Sequence, residues 1–153
     1  MPAVKIYSAR VTFTQVAEGP VEAVDSPERI TRYMADAFND DPIVESFWVV
    51  CLNRKNKPLA RSMVTKGTAT ASLVHPREVF RPVILTGASA CVVVHNHPSG
   101  DPSPSQADIR ATRQLREAAK VVQIDLLDHV IVGDKVDDPI GRGYYSFAEA
   151  GLL

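Results

Sequence analysis

Ala88 to Val94 reads ASACVVV, and His95 to Asp108, which follows, reads HNHPSGDPSPSQAD. The first run is short and almost wholly apolar, as in a strand covered on both faces. At its end His95 and His97 stand two residues apart. Side chains alternate along an extended chain, so both imidazoles leave the same face, with Cα atoms about 6.6 Å apart. Two ring nitrogens so placed can lean onto one metal at the zinc–nitrogen distance of about 2.0–2.1 Å. Pro98 biases His97 away from helical backbone angles and keeps it on the extended track. Gly100 permits a sharp turn, while Pro102 and Pro104 stiffen the loop. Ser105-Gln106-Ala107-Asp108 then opens a helix. Asp108 falls in its first turn, where the helix dipole favours a charged carboxylate, the form a metal ligand must take. Two imidazoles and one carboxylate leave a fourth tetrahedral position for water, the pattern of a catalytic zinc site.

A plainer reading of the same residues exists. Ser-x-x-Asp before an apolar helix is close to a capping box, in which the acid serves the backbone. Two histidines near a strand end can also be satisfied by ordinary hydrogen bonds. The two readings of Ser105 are compatible, since a hydroxyl accepts from a backbone N–H as a cap and still donates its own proton towards an oxyanion.

Outward from this stretch, strands and helices alternate. Val4 to Val16 carries β-branched and aromatic residues in an extended pattern, which predicts a strand or a bent pair, interrupted at Gly19-Pro20. Ser26 reads as an N-cap with Pro27 at the first helical position. Ile30, Tyr33, Met34, Ala37 and Phe38 follow one buried helical face, and Asn39 to Pro42 ends that helix. Ile43 to Leu52 and Pro58 to Thr65 flank Asn53 to Lys57 as a hairpin. His75 to Leu85 reads as a helix that Pro82 shortens or kinks. Ser105 to Lys120 is predicted helical, with Ile109, Thr112, Leu115 and Ala119 on one side. Val121 to Val132 is predicted as a strand, Gly133 to Gly143 as a polar loop and Tyr144 to Leu153 as a short tail. The expected architecture is α/β, a mixed sheet with helices on both sides, in one domain over residues 1–153: residues 1–42 as a strand and helix, 43–133 as the metal-site core, 134–153 as loop and tail.

The chain has 153 residues, 17 Lys+Arg against 18 Asp+Glu, and 45% hydrophobic residues. That length can bury a core, and the composition excludes wholesale disorder. A formal net charge of −1 provides no broad field for a nucleic-acid backbone or an anionic membrane. Pro82 to Val94 is too short to span a bilayer. Lys5 and Arg10 interrupt what a secretory leader would need as its apolar segment, so a cytoplasmic protein is expected. Cys51 and Cys91 sit in apolar runs and read as buried free thiols.

His-x-His-Pro, six residues and Ser-x-x-Asp together resemble the JAMM (MPN+) metalloprotease motif in its RadC-like form. GTATASLVHPREVF (67–80), LLDHVIVG (126–133) and YYSFAEAGLL (144–153) look like the same branch. The resemblance covers nearly the whole chain, most strongly Glu45 to Gly133. It implies a three-layer α-β-α fold with a mixed sheet, of the cytidine-deaminase-like JAB/MPN kind. It also implies Zn2+ held by His95, His97 and Asp108, with Ser105 steadying the tetrahedral intermediate. The family's catalytic Glu on an earlier strand matches Glu45 in VESFWVVCLN (44–53), the only acid in an otherwise apolar run. The chain resembles a stand-alone form without the N-terminal helix-hairpin-helix region of many RadC-like proteins, so DNA association through that region does not carry over. Asn96 stands where eukaryotic deubiquitinating relatives usually have Ser or Thr, so ubiquitin-type substrates are not implied.

The function expected is a zinc-dependent metallopeptidase or isopeptidase that hydrolyses an amide with water activated at the metal. Its partner is a protein or peptide substrate, with no membrane and no strong direct nucleic-acid ligand; homo-oligomerisation stays open. The alternative is a non-catalytic, metal-stabilised interaction module associated with DNA repair or mobile-element proteins. Other zinc and nuclease classes fit poorly. His95-Asn96-His97 is consecutive, unlike the dispersed residues of HNH nucleases. The His-x-Glu and Pro-Cys-x-x-Cys of nucleobase deaminases are missing, as is His-Glu-x-x-His. The chain is too short for an amidohydrolase barrel. His129, preceded by Asp128 in an apolar strand, reads as a buried hydrogen-bonded histidine, or as one supporting a ligand from behind. His75 reads as a helix-start residue. Arg110, Arg113, Arg116 and Lys120, interrupted by Glu117, read as a solvated helix face.

Overall fold

Ser26 caps the first helix of this chain, its hydroxyl accepting the N–H of Arg29 at 3.3 Å, and Pro27 begins helix α1 (Pro27–Asn39). Ile30, Met34 and Phe38 form its buried face. The computed structural model describes residues 1–15, 18, 22–67 and 74–153. After α1 come strands β1 (Ser46–Leu52) and β2 (Pro58–Lys66), helix α2 (Pro76–Leu85), strand β3 (Ala90–Asn96), helix α3 (Gln106–Val122) and strands β4 (Asp125–Val132) and β5 (Tyr144–Ser146).

The strands form one sheet in the order β2-β1-β3-β4-β5. β3 and β4 are parallel and joined through α3, while the other neighbours are antiparallel, so the sheet is mixed. Alternation along β1 and β3 splits the core in two. Val49, Cys51, Cys91 and Val93 pack against Val79, Phe80 and Val83 of α2 and Leu115 and Ala119 of α3. Val50, Leu52, Val92 and Val94 pack against Ile30, Met34 and Phe38 of α1 on the other face. The result is the expected α/β fold in three layers. Both cysteines are free and buried, opposite each other on β1 and β3.

Three local expectations change. Val4 to Gln15 forms no strand and lies exposed; strand propensity measures fit to a pleated, half-buried surface, and no neighbouring strand among the described residues supplies one here. Val16 and Gly19-Pro20 lie outside the described residues, as do residues 68–73 of the 67–80 stretch. Val121 and Val122 complete α3 rather than begin β4, because the helix ends at Gln123 in a left-handed conformation (φ 59°), with Ile124 N–H donating to Ala119 O at 3.0 Å. That bond closes the helix end in the Schellman manner. The tail is not wholly irregular, since Tyr144–Ser146 pairs with Val130–Val132 and covers the outer edge of β4. Pro82 sits inside α2 without ending it.

Candidate metal centre

β3 runs into the centre as a fully buried strand. His95 occupies the same face as Cys91 and Val93, opposite Phe47 of β1, with which its ring stacks at 5.5 Å between centroids. His97 lies one residue beyond the strand, yet its N–H still donates to Val132 O at 2.9 Å, which continues the ladder with β4. The backbone thus stays extended through His97, as Pro98 favours. The two imidazoles meet as the alternation predicts, with Nε2 atoms 3.1 Å apart.

Asp108 arrives from the first turn of α3. Ser105 and Asp108 form a capping box: Ser105 Oγ accepts from Asp108 N–H at 3.0 Å, and Asp108 Oδ2 accepts from Ser105 N–H at 2.9 Å. The same carboxylate reaches the histidines, Oδ1 lying 3.3 Å from His95 Nε2 and Oδ2 3.3 Å from His97 Nε2. The capping and ligand readings of Asp108 therefore coexist. Ser105 is exposed, and its hydroxyl proton has no acceptor among the described residues.

Glu45 precedes β1 and brings Oε1 to 3.7 Å from His95 Nε2. Three hydrogen bonds fix its backbone neighbourhood. Asn96 Oδ1 accepts from Ser46 N–H at 2.8 Å, Asn96 Nδ2 donates to Val44 O at 2.9 Å, and Glu45 O accepts from Gly67 N–H at 2.9 Å. The buried carboxamide of Asn96 does the work of a neighbouring strand where β3 turns away, and Glu45 lies between its two anchor points.

Glu45, His95, His97 and Asp108 each offer a ligand atom, all within 4.8 Å of one another, the one such group found among the described residues. The protons on the far sides of the rings are placed by their partners. His97 Nδ1 lies 2.9 Å from Asp101 O, and a carbonyl only accepts, so the proton is on Nδ1 and the lone pair of the neutral ring is on Nε2. His95 Nδ1 lies 2.8 Å from Nε2 of His129, which is wholly buried. Burial holds the His129 imidazole well below its usual pKa range, so this ring is neutral. The inward atoms are thus nitrogens and carboxylate oxygens at contact distances of 3.1–3.3 Å. Donors about 2.0–2.1 Å from one tetrahedral ion stand about 3.3 Å from each other, so the set fits a divalent cation such as zinc.

The electrostatics agree. Burial pushes the Asp108 carboxyl up, but the His95 and His97 imidazoles beside it and the N–H of Ser105 outweigh it and hold the group well below the carboxylate range. It is charged at neutral pH, as a ligand must be. Burial pulls His97 down, and Asp108 and the Asp101 carbonyl more than reverse this, leaving its pKa raised. The cluster attracts a cation.

All five residues expected at the site lie in one region, Ser105 at the cap of the helix that delivers Asp108. His75 is the N-cap residue of α2, exposed and outside the cluster. Arg110, Arg113, Arg116 and Lys120 are exposed on α3. His129 is buried and hydrogen-bonded to His95, a candidate ligand. Sequence reasoning missed Thr112, which reads as one more member of the apolar stripe of α3, and the bracing of Glu45 by Asn96. An amide on a buried strand between two histidines is the only sign the sequence offers for the latter.

Comparison with known proteins places the chain in a family. The family model described as "RadC-like JAB domain" matches residues 24–152. A UPF0758 protein of Symbiobacterium thermophilum is 43% identical over 91% of this chain and 57% of its own length. Another, of Geobacter sulfurreducens, is 43% identical over 86% of this chain and 54% of its own length. A third, of Chlorobium phaeovibrioides, is 50% identical over 81% of this chain and 52% of its own length. The chain spans about half the length of the curated relatives it matches. On this match of family model and relatives to most of its length, the chain belongs to the RadC-like JAB domain family.

Proposed function

We propose that this domain is a zinc-dependent metallopeptidase or isopeptidase acting on a protein or peptide amide. The observation that carries the reading is the convergence of His95 Nε2, His97 Nε2 and the Asp108 carboxylate at contacts of 3.1–3.3 Å, with Glu45 Oε1 beside them. When bound, zinc supplies Lewis-acid activation of water and polarisation of a carbonyl. His95, His97 and Asp108 would hold it. The carboxylate of Glu45, partly open to solvent, takes a proton from the attacking water and hands it to the leaving amine, general acid–base work worth about 10²–10⁴-fold. The Ser105 hydroxyl caps α3 with its lone pair and keeps its proton for the oxygen that turns negative as the carbonyl becomes tetrahedral. The bracket that Asn96 forms around Glu45 holds the base without adding a charge.

A panel of fluorogenic peptides and ε-lysyl isopeptides, offered to zinc-loaded protein, tests the reading. Glu45→Gln is expected to keep its zinc and lose about 10²–10⁴-fold in turnover. Asp108→Ala is expected to lose both. Zinc-dependent cleavage that Glu45→Gln leaves unaltered removes Glu45 as the base. Tight zinc binding with no cleavage of any probe favours instead a metal-stabilised interaction module.

A further inference from the structure

Behind the centre, Thr112 Oγ1 stands between two acceptor-capable atoms, 2.7 Å from Asp108 O and 2.6 Å from His129 Nδ1. A hydroxyl has a single proton, and the Asp108 carbonyl cannot donate. That proton therefore lies on the bond to Asp108 O, since two oxygens at 2.7 Å without a proton between them repel. Thr112 Oγ1 must then accept from His129, which places the His129 proton on Nδ1. His129 Nε2 is left as an acceptor and accepts a hydrogen bond from the N–H at His95 Nδ1, at 2.8 Å. The order of protons along His95, His129, Thr112 and Asp108 is thus fixed in one direction. It begins on one ligand and ends on the backbone of another. Thr112 and His129 are almost wholly buried, so no water competes for these bonds. His129 is also held in place by Phe147, stacked on it at 4.5 Å between centroids.

We propose that Thr112 and His129 are positioning residues of the metal centre: they keep the proton of His95 on Nδ1, so that its Nε2 lone pair faces the ion, and they tie that ligand to the helix carrying Asp108. Ligating histidines commonly donate their second nitrogen to a carboxylate or a carbonyl. Here a second, neutral histidine takes that place, and a neutral histidine accepts at Nε2 only if something holds its proton at Nδ1. Thr112 supplies that condition, and without its hydroxyl either tautomer of His129 is open. The Nε2–H form would confront His95 Nδ1–H and drive the ligand's proton to the nitrogen that must bind metal. The proposal rests on the reading of the cluster as a metal centre.

Long-range nitrogen–proton NMR of the metal-free protein tests the proton order directly. The unsubstituted protein is expected to show His95 in the Nδ1–H form, and a spectrum showing the Nε2–H form overturns the proposal whatever the variants do. Thr112→Val keeps the shape and removes the hydroxyl. It is expected to shift His95 towards the Nε2–H form and to weaken zinc binding by about 10–100-fold. Thr112→Ser restores the hydroxyl and is expected to restore both. Unchanged zinc affinity and an unchanged His95 tautomer in Thr112→Val contradict the relay and leave the centre standing. Should Thr112→Val not fold, the spectrum of the unsubstituted protein still decides. Failure of the unsubstituted protein to bind zinc contradicts the centre itself.

Discussion

His97 carries its proton on Nδ1 because the only partner there is the carbonyl of Asp101. Its other nitrogen faces Asp108, and in metal-free protein that pairing raises the pKa of the ring above its ordinary 6.5 despite burial. A folded-state pKa above the unfolded one means that protonated His97 stabilises the metal-free fold. The contribution is complete below about pH 6.5 and is lost as the pH rises through the folded value. Metal-free protein is therefore expected to lose stability as the pH rises above about 6.5, a slope that His97→Gln flattens. Zinc competes with that proton, so zinc affinity is expected to rise over the same interval. Urea unfolding across the range, with and without His97→Gln, checks it; identical profiles contradict the pairing. At this scale the candidate ligands were legible because metal chemistry demands particular residue types at particular spacings. Thr112 was not, since its hydroxyl matters only through His129, which comes from another element and lies 17 residues away.

The elements place these side chains through close backbone contacts. Gly133, just after β4, touches the loop that follows His97: a Cβ there would stand 2.2 Å from Gly100 O and 2.9 Å from Pro102 Cδ. Gly100 in turn donates to His97 O at 2.9 Å and accepts from Asp134 N–H at 2.6 Å. Gly133→Ala is thus expected to push the ligand loop outward, costing about 1–3 kcal/mol of stability and weakening zinc binding. Calorimetry of the variant with and without zinc measures both effects, and a variant equal to the unsubstituted protein contradicts the contact. The helices and inner strands were legible from caps and periodicity: Ser26-Pro27, Ser105 and the run before His95 all mark real boundaries. The misses share a cause. Val121-Val122 looks extended in isolation but is held helical by the closure at Gln123 and Ile124. Tyr144–Ser146 becomes a strand because β4 offers an edge. Val4 to Gln15 has the composition of a strand and no ladder partner among the described residues. Sequence patterns report what a segment favours, and the neighbour that settles the matter is chosen by the whole fold.

In the molecule as a whole, the sheet brings together residues far apart in the chain. Glu45 comes from the lead into β1, His95 and His97 from the end of β3, and Asp108 from the start of α3. β3 and β4 are parallel, and the site lies beyond the carboxyl end of β3 at a helix N-terminus, a common position for sites in α/β sheets. No helix among the described residues is long and apolar enough to cross a membrane. Chemistry at this centre requires that one cation be shared by groups the fold already holds within reach. A crystal structure of zinc-soaked protein, with anomalous data on either side of the zinc edge, measures this most directly. A single strong peak in contact with His95 Nε2, His97 Nε2 and the Asp108 carboxylate is the predicted result. Saturating zinc with no peak between those three side chains, or with the ion held elsewhere, would contradict it.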